Sequence, residues 1–506
     1  MTEYSIEDYF KLLKQADLIL ESNIAGFEGT IITNLTYNSK EVTKQTLFIC
    51  KGAAFKAEYL EEALKKGACF YISEKKYDLD QEVPYIIVRD IRVAMPFIAN
   101  MFYGSAWKDL NLIGITGTKG KSTTAYYIKS ILDDYLYSQN KKESAVISSI
   151  DLFDGIIRKE SHITTPEAME LHHHFRNAVN SGIEYLQMEV SSQALKYNRV
   201  DQILFDVGVF LNISEDHISP VEHQDFEDYF SSKLRIFSQS KTACVNLDSD
   251  FSERILDASK DSQNLITFGT KENADIYGYH IRKEKNEIIF QVKCDRFHQE
   301  FKLTMPGLFN VENALAAIAI AYTLNIPVEY IYSGLYKARS SGRMELYASQ
   351  DQKVIAIVDY AHNKLSFDKL FSSTKEEYPD YNIVSIFGCP GKKAFIRRRD
   401  LGTIAGQYSK KVYLVAEDPG YEPVEEISKD IAQYVAAQNC EYVMIEDRGE
   451  AIKTAIEEVT SNTVILITGK GNETRQKYGS EYIDCPSDVE YTKKYIEEYN
   501  TRVLKS

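Results

Sequence analysis

The sequence predicts a multidomain α/β chain with parallel sheets, on three observations. Residues 112–124 read as an apolar strand, a glycine-rich turn and the start of a helix. After Arg343, short apolar runs alternate regularly with helical stretches. The 506 residues are also too many for one hydrophobic core and suggest roughly three domains.

In the first hundred residues the two periodicities alternate, with strands expected at 46–50, 69–73 and 85–88. A helix-rich stretch at 92–103 ends at Gly104-Ser105. The second block carries the glycine turn, a helix over 125–135, strands at 185–190 and 205–211, and an alternating β-rich insertion near 274–301. In the third block, apolar runs fall at 354–358, 383–387, 412–415, 442–445 and 464–467. Such runs separated by helices mark the parallel strands of an open doubly wound sheet. Ligands bind such sheets beyond the carboxyl ends of the strands. Asp359-Tyr360-Ala361-His362, Gly388-Cys389, Glu417-Asp418-Pro419 and Gly469-Lys470-Gly471 all fall there. The expected domains are 1–108, 109–338 and 339–506.

Composition narrows the class. The chain is 44% apolar and 26% charged, with no run long enough to span a membrane. Its first residues lack the basic-then-apolar order of a secretory signal. Seven cysteines without a C-x-x-C spacing suggest reduced thiols. A net charge of −15 argues against a nucleic-acid partner. A cytoplasmic protein with no membrane insertion is expected, acting as a monomer.

The glycine turn carries the clearest chemistry. Gly117 and Gly120 let the backbone of Gly117-Thr118-Lys119-Gly120 turn its N–H groups toward a phosphate. Lys121 can reach the outer phosphates, the Ser122 hydroxyl can ligate magnesium, and Thr123 continues into a helix whose N-terminus faces the anion. The spacing departs from the usual G-x4-G-K-[ST], because Ile115 stands where the first glycine belongs and Gly114 comes one residue early. Glu189, at a strand end, is placed either to hold magnesium or to cap a helix. His217, after a second strand, is a ligand or a structural residue. His172-His173-His174 read as a surface or packing feature of a helix.

The phosphate loop, Met188-Glu189-Val190-Ser191-Ser192-Gln193 with Arg199-Val200, and the stretch 205–217 resemble the central domain of the Mur ligases. Asp228-Tyr229 with Ser232-Lys233-Leu234 and Phe237 extend the resemblance. So do Asn310-Val311-Glu312-Asn313-Ala314, Gly342-Arg343-Met344-Glu345, the Asp359 to His362 motif and Gly469-Lys470-Gly471. These motifs cover all three expected domains in order. They imply an N-terminal UDP-binding domain, a central P-loop ATPase domain and a C-terminal Rossmann-like domain. Within the family the chain most resembles the members that add the third residue of the peptidoglycan stem peptide, and among those the lysine-adding ones.

The resemblance implies an ATP-dependent amide-forming ligase of peptidoglycan precursor synthesis, working through an acyl phosphate on UDP-N-acetylmuramoyl-L-alanyl-D-glutamate. It implies that Lys121 binds the β- and γ-phosphates. Ser122, Glu189 and His217 would hold Mg2+, supported by Lys233 after carbamylation by CO2. Read without the resemblance, Lys233 is a surface lysine of an amphipathic helix. Asn310 and Asn313 would lie at the adenine, Arg343 near the phosphates, and Asp359 and His362 at the ribose.

Ser39, in Asn38-Ser39-Lys40 where the family has Asp-Ser-Arg, would contact the uridine diphosphate, and Thr164, Thr165, Ser191 and Arg199 the muramyl-peptide. Arg398 would hold the α-carboxylate of the incoming amino acid, in a pocket with Glu417, Asp418, Pro419, Gly469 and Glu473. Diaminopimelate-adding members carry Asp-Asn-Pro-Arg where this chain has Glu417-Asp418-Pro419-Gly420. Loss of that arginine removes a bidentate partner for a distal carboxylate. The acids offer acceptors for a distal ammonium instead. L-Lysine is therefore expected, with meso-diaminopimelate and ornithine as alternatives. The rivals of other classes are a folylpolyglutamate-synthetase-like ligase and a catalytically dead partner. About 110 residues precede the loop, which argues against the first, and Lys121, Glu189, His217 and Lys233 together argue against the second.

Overall fold

Asn111–Thr116 alternates no polar residues among its central positions, and from Leu112 onward the strand is buried on both faces. It lies between Tyr185–Glu189 and Phe205–Phe210 and runs parallel to both. Gly114 is bare because the Phe205 ring covers it; a Cβ there would sit 2.9 Å from the ring. The computed structural model describes residues 3–52, 55–161, 163–215, 222–285, 287–339, 342–392 and 395–503. They form two compact units. One comprises the stretches up to Lys121, Tyr135–Thr267 and Tyr322–Asn325; the other comprises Ser122–Asp134, Phe268–Ala321 and Ile326 onward.

In the first unit a sheet runs in the order Arg158–Glu160, Asp151–Phe153, Ala145–Ile147, Tyr185–Glu189, Asn111–Thr116, Phe205–Phe210, Ser240–Asn246. Its core gathers Leu112, Leu186, Phe205, Phe210, Phe230 and their neighbours. A second sheet of this unit runs Ile19–Asn23, Tyr85–Val88, Ala68–Ser73, Thr46–Ile49, Asn34–Thr36. The strands expected at 46–50, 69–73 and 85–88 match this sheet within a residue. The helix-rich stretch becomes Ile91–Phe102, capped by the Asp90 side chain. It stops where Gly104 and Ser105 both take positive φ, as the break in the sequence suggested.

In the second unit, Ile276–Glu284, Glu287–Lys293 and His298–Leu303 form an antiparallel meander, the β-rich insertion. A separate sheet runs Glu345–Ala348, Val354–Asp359, Thr463–Thr468, Asn382–Phe387, Lys411–Leu414, Glu441–Met444. Its last five strands are parallel, at the expected runs. The first is an antiparallel edge strand that the sequence reading missed.

The helix Lys121–Ser138 begins four residues before the expected start, directly on the glycine turn. Its residues Ser122–Asp134 pack in the second unit against Val328–Lys337. Gly334 makes that packing close, since a Cβ there would fall 2.4 Å from the Ile131 Cα. Gly334→Ala must push two helix backbones apart, at a cost of about 2 kcal/mol or more. Calorimetric melting is expected to show a lowered transition; an unchanged profile would mean that the helices are not in such contact.

Candidate active site

In the first unit the loop after Asn111–Thr116 is built from backbone freedom and a few side-chain ties. Gly117 has φ +151° and Gly120 φ +86°, conformations that cost a side chain heavily. A Cβ at Gly117 would also meet the Leu211 Cβ at 2.9 Å. Asn212 staples the loop. Its carbonyl accepts from Thr118 N at 3.0 Å, and its Oδ1 accepts from Lys119 N at 2.9 Å. The Thr118 hydroxyl accepts from Ser214 N at 3.1 Å and lies 3.1 Å from the Tyr229 hydroxyl. Lys121 folds back so that Nζ donates to the carbonyls of Gly117 (2.9 Å) and Thr118 (3.3 Å). Ser122 and Thr123 open the helix, in the second unit.

Lys233 is the largest departure from what the chain's own pattern suggests. It lies on the helix Phe226–Leu234, whose N-terminus the Asp225 side chain caps. Instead of facing solvent it is only 2% exposed, with Nζ donating to the Gly117 carbonyl at 2.9 Å and lying 4.8 Å from the Tyr229 ring centre. The lysine therefore reaches the phosphate loop itself.

Glu189 ends its strand as expected and is buried. Its Oε1 accepts from the Ser149 amide (2.8 Å) and hydroxyl (3.1 Å), so the carboxylate is oriented by a turn that sequence reasoning overlooked. Beyond it, Asp154 accepts from Ile156 and Ile157 amides and from Asn177, and pairs with His174 Nδ1 at 2.7 Å. His172 and His174 are buried and only His173 is exposed. The triple thus packs at two of its three positions.

Thr165, Ser191 and Arg199 come together beside Glu189. Thr165 Oγ1 donates to the Glu189 carbonyl at 2.9 Å and accepts from Ser191 N at 3.0 Å. Ser191 also caps the helix Ser192–Lys196. Arg199 Nη1 donates to the Thr165 carbonyl (3.2 Å), and its Nε is 2.9 Å from Glu167, which Lys51 also pairs. Thr164 adjoins them, half-buried. Ser39, in the loop after Asn34–Thr36, donates to Glu62 at 2.7 Å. His217 lies outside the described residues. Among the described residues no three carboxylate, imidazole or thiol groups gather as a metal cluster. The carboxylate of Glu189, in the first unit, is a hard oxygen donor of the kind magnesium takes.

The second unit carries the other predicted residues. Asn310 and Asn313 are buried in the first turn of Asn310–Thr323, with the Asn310 amide donating to Pro306 O and its carbonyl accepting from Asn313. Asp359, at its strand's end, accepts from Ala361 N (2.7 Å) and Met344 N (3.0 Å). Arg343 stacks on the Tyr360 ring at 4.4 Å, and His362 Nδ1 lies 2.8 Å from the Tyr360 carbonyl. Arg343 and His362 thus both lie against Tyr360, the residue after Asp359.

Tyr360 then donates to Glu473 Oε1 at 2.6 Å. Glu473 Oε2 pairs with Lys470 at 2.5 Å, and Lys470 with Asp418 at 3.1 Å. Glu417, next in line, is buried, which pushes its carboxyl up to about 7 against the pull of Arg448 and Lys470. Gly469 makes room for it, because a Cβ there would lie 2.2 Å from Glu417 Oε2. Pro419 follows, its carbonyl pressed so close to Gly391 that a Cβ there would overlap it. Arg398 is buried, and its two terminal nitrogens each donate to Glu422 at 2.8 Å. Gly469→Ala is accordingly expected to displace Glu417 and raise the KM for the amino acid at least about tenfold, on a cost above 1.4 kcal/mol. An unaltered KM would remove Glu417 from the pocket.

Residues 115–321 match the Mur ligase middle domain, and residues 342–471 the Mur ligase glutamate ligase domain. A UDP-N-acetylmuramyl-tripeptide synthetase of Ligilactobacillus salivarius is 35% identical over 485 residues, covering 92% of this chain and 94% of the relative. The chain belongs to the Mur ligase family. The UDP-N-acetylmuramoyl-L-alanyl-D-glutamate–L-lysine ligase of Enterococcus faecalis is 34% identical over 476 residues, 93% of this chain and 92% of that one. The solved structure of a UDP-N-acetylmuramoyl-L-alanyl-D-glutamate–2,6-diaminopimelate ligase shares the fold, with a TM-score of 0.69 at 22% identity over 98% of this chain and 99% of the other. The Mur ligase is therefore an α/β enzyme of a known architecture. Among its described residues no helix is long and apolar enough to cross a membrane.

Proposed function

We propose that this Mur ligase joins L-lysine to the D-glutamate of UDP-N-acetylmuramoyl-L-alanyl-D-glutamate in the cytoplasm, at the expense of ATP. The observation that carries the amino-acid assignment is the acidic pocket. Asp418 and Glu473 both pair with Lys470, the Glu417 carboxylate lies beside Gly469 of the same turn, and Gly420 leaves no guanidinium for a distal carboxylate. The relatives named as lysine ligases support the same reading.

In this reading the amides of Gly117 to Gly120 and the Lys121 ammonium hold the β- and γ-phosphates. Ser122, Glu189 and His217, with Lys233 as its carbamate, would hold magnesium, which supplies positive charge to the transferring phosphoryl group. The carbamate forms when the neutral Lys233 amine bonds to the carbon of CO2 and releases its proton to solvent. Asn310 and Asn313 bind the adenine, and Arg343, Asp359 and His362 the phosphate and ribose side. Ser39 holds the uridine diphosphate. Thr164, Thr165, Ser191 and Arg199 position the muramyl-peptide so that its free carboxylate attacks the γ-phosphorus and ADP departs. Arg398, Pro419 and the acidic pocket orient the amino acid. Its α-amine attacks the acyl carbon, phosphate leaves, and the amine loses a proton to give the amide.

Phosphate release should require the muramyl-dipeptide, lysine, ATP and magnesium together. Lys121→Ala should reduce it by about a thousandfold, as expected for loss of a cation at a transferring phosphate. Release without the dipeptide would point to a different acceptor.

A further inference from the structure

The Gly469-Lys470-Gly471 turn places a buried ammonium inside the acidic pocket. Gly469 and Gly471 take φ +103° and +57°, and Glu473 N donates to the Lys470 carbonyl at 3.0 Å, which closes the turn. Lys470 Nζ lies 2.5 Å from Glu473 Oε2 and 3.1 Å from Asp418 Oδ1, and its side chain is 4% exposed. Each carboxylate has a second tie. Glu473 Oε1 accepts from the Tyr360 hydroxyl, and Asp418 Oδ1 from the Lys477 amide at 2.9 Å. Asp418 Oδ2 accepts no hydrogen bond from the described residues, and neither do the Glu417 oxygens.

We infer that Lys470 is a resident counter-ion that positions the pocket for one further cation, an inference that rests on the lysine reading above. Three carboxylates face the Lys470 ammonium and the charge of Arg397, Arg448 being neutralised by Asp488, which leaves the pocket at −1 with Glu417 ionised. A second ammonium therefore fits the charge, and a distal carboxylate does not. Without Lys470, Asp418 and Glu473 would repel each other and swing apart, because two like charges at short range in a poorly solvated site are strongly unfavourable. With it they are fixed, so Asp418 Oδ2 is presented as a preformed acceptor beside Glu417. Lys470 acts through the carboxylates and is a positioning residue.

An ordinary structural ion pair makes a different prediction. Its loss would lower folding stability and depress every kinetic constant together. The positioning role predicts a selective effect. In the intact enzyme, Lys470→Met should raise the KM for lysine about 30-fold, the range lost with a charge-assisted hydrogen bond. The KM values for ATP and the muramyl-dipeptide should stay within about twofold, as should kcat at saturating lysine. Lys470→Ala should recover lysine affinity when propylammonium is added, saturably. Should neither variant fold, Lys470→Arg keeps the charge but spreads the two acids, and a severalfold higher lysine KM is expected. An unchanged lysine KM in any folded variant, or equal losses for all three substrates, would overturn the inference. The wild-type enzyme is the control for the underlying reading. If it forms no lysine adduct, the lysine assignment itself fails and this inference falls with it; a wild-type lysine adduct with an indifferent Lys470 refutes the inference alone.

Discussion

Lys233→Ala is expected to cut turnover by about a thousandfold or more while leaving the protein folded, and added bicarbonate should not restore it. The side chain is buried against the phosphate loop, its Nζ donating to the Gly117 carbonyl at 2.9 Å. A cationic lysine there adds to a site already supplied with Lys121, whereas a carbamate offers an anionic oxygen to a hard cation. On the proposed carbamylation, that change of sign is what gives the residue its role. Alanine supplies no amine for CO2, so bicarbonate has nothing to act on. Electrostatic groups at a transferring phosphoryl are worth about three orders of magnitude. Near-normal turnover would exclude Lys233 from the mechanism.

The second large effect concerns pH. Burial pushes the Glu417 carboxyl up to about 7; Asp418 reinforces this, while Arg448, Lys470 and Arg397 oppose it. The free pocket therefore holds a proton at mildly acid pH, and an arriving ammonium must displace it. The dissociation constant of lysine is expected to fall about tenfold per pH unit below 7 and to level off above it. Glu417→Gln should flatten that slope and weaken binding at pH 8 by about 2 kcal/mol. Titration calorimetry from pH 6 to 8.5 reads both quantities. A pH-independent affinity in the wild type would contradict the placement of Glu417 at the ammonium. The sign for folding is opposite. Because the folded state holds this proton between 4.5 and about 7 while the unfolded chain has lost it, the free protein loses stability as pH rises through that window.

Much of this was legible in the sequence, for physical reasons that differ from element to element. The parallel strands at Val354–Asp359, Asn382–Phe387, Lys411–Leu414, Glu441–Met444 and Thr463–Thr468 appear as uninterrupted apolar runs because both faces are buried. The glycine turn between strand and helix was legible because Gly117 and Gly120 occupy backbone conformations that other residues avoid. Lys233 was not readable from its own pattern. Its helix carries Glu227, Asp228 and Lys233 like any solvated face, and only the tertiary placement against Gly117 buries the amine. The edge strand Glu345–Ala348 was missed because its partly exposed residues give no buried run. Ser149 was equally invisible, since a turn serine that orients a distant glutamate leaves no periodic signal. Lys470 lay inside a quoted motif, yet its two partners come from positions 418 and 473 and meet only through the sheet's topology.

The central claim is that the acidic pocket selects a distal ammonium. Its most direct test is product formation with purified protein, ATP, magnesium and UDP-N-acetylmuramoyl-L-alanyl-D-glutamate, with lysine, ornithine and meso-diaminopimelate supplied separately and product masses read by mass spectrometry. Ornithine is one methylene shorter, and one methylene discriminates by only about 1–3 kcal/mol, so a weaker ornithine product is compatible with the pocket. A dominant lysine adduct with no diaminopimelate adduct is the predicted result. A dominant diaminopimelate adduct would contradict the reading of Glu417, Asp418 and Gly420, and the absence of any adduct would contradict the assignment as an active ligase.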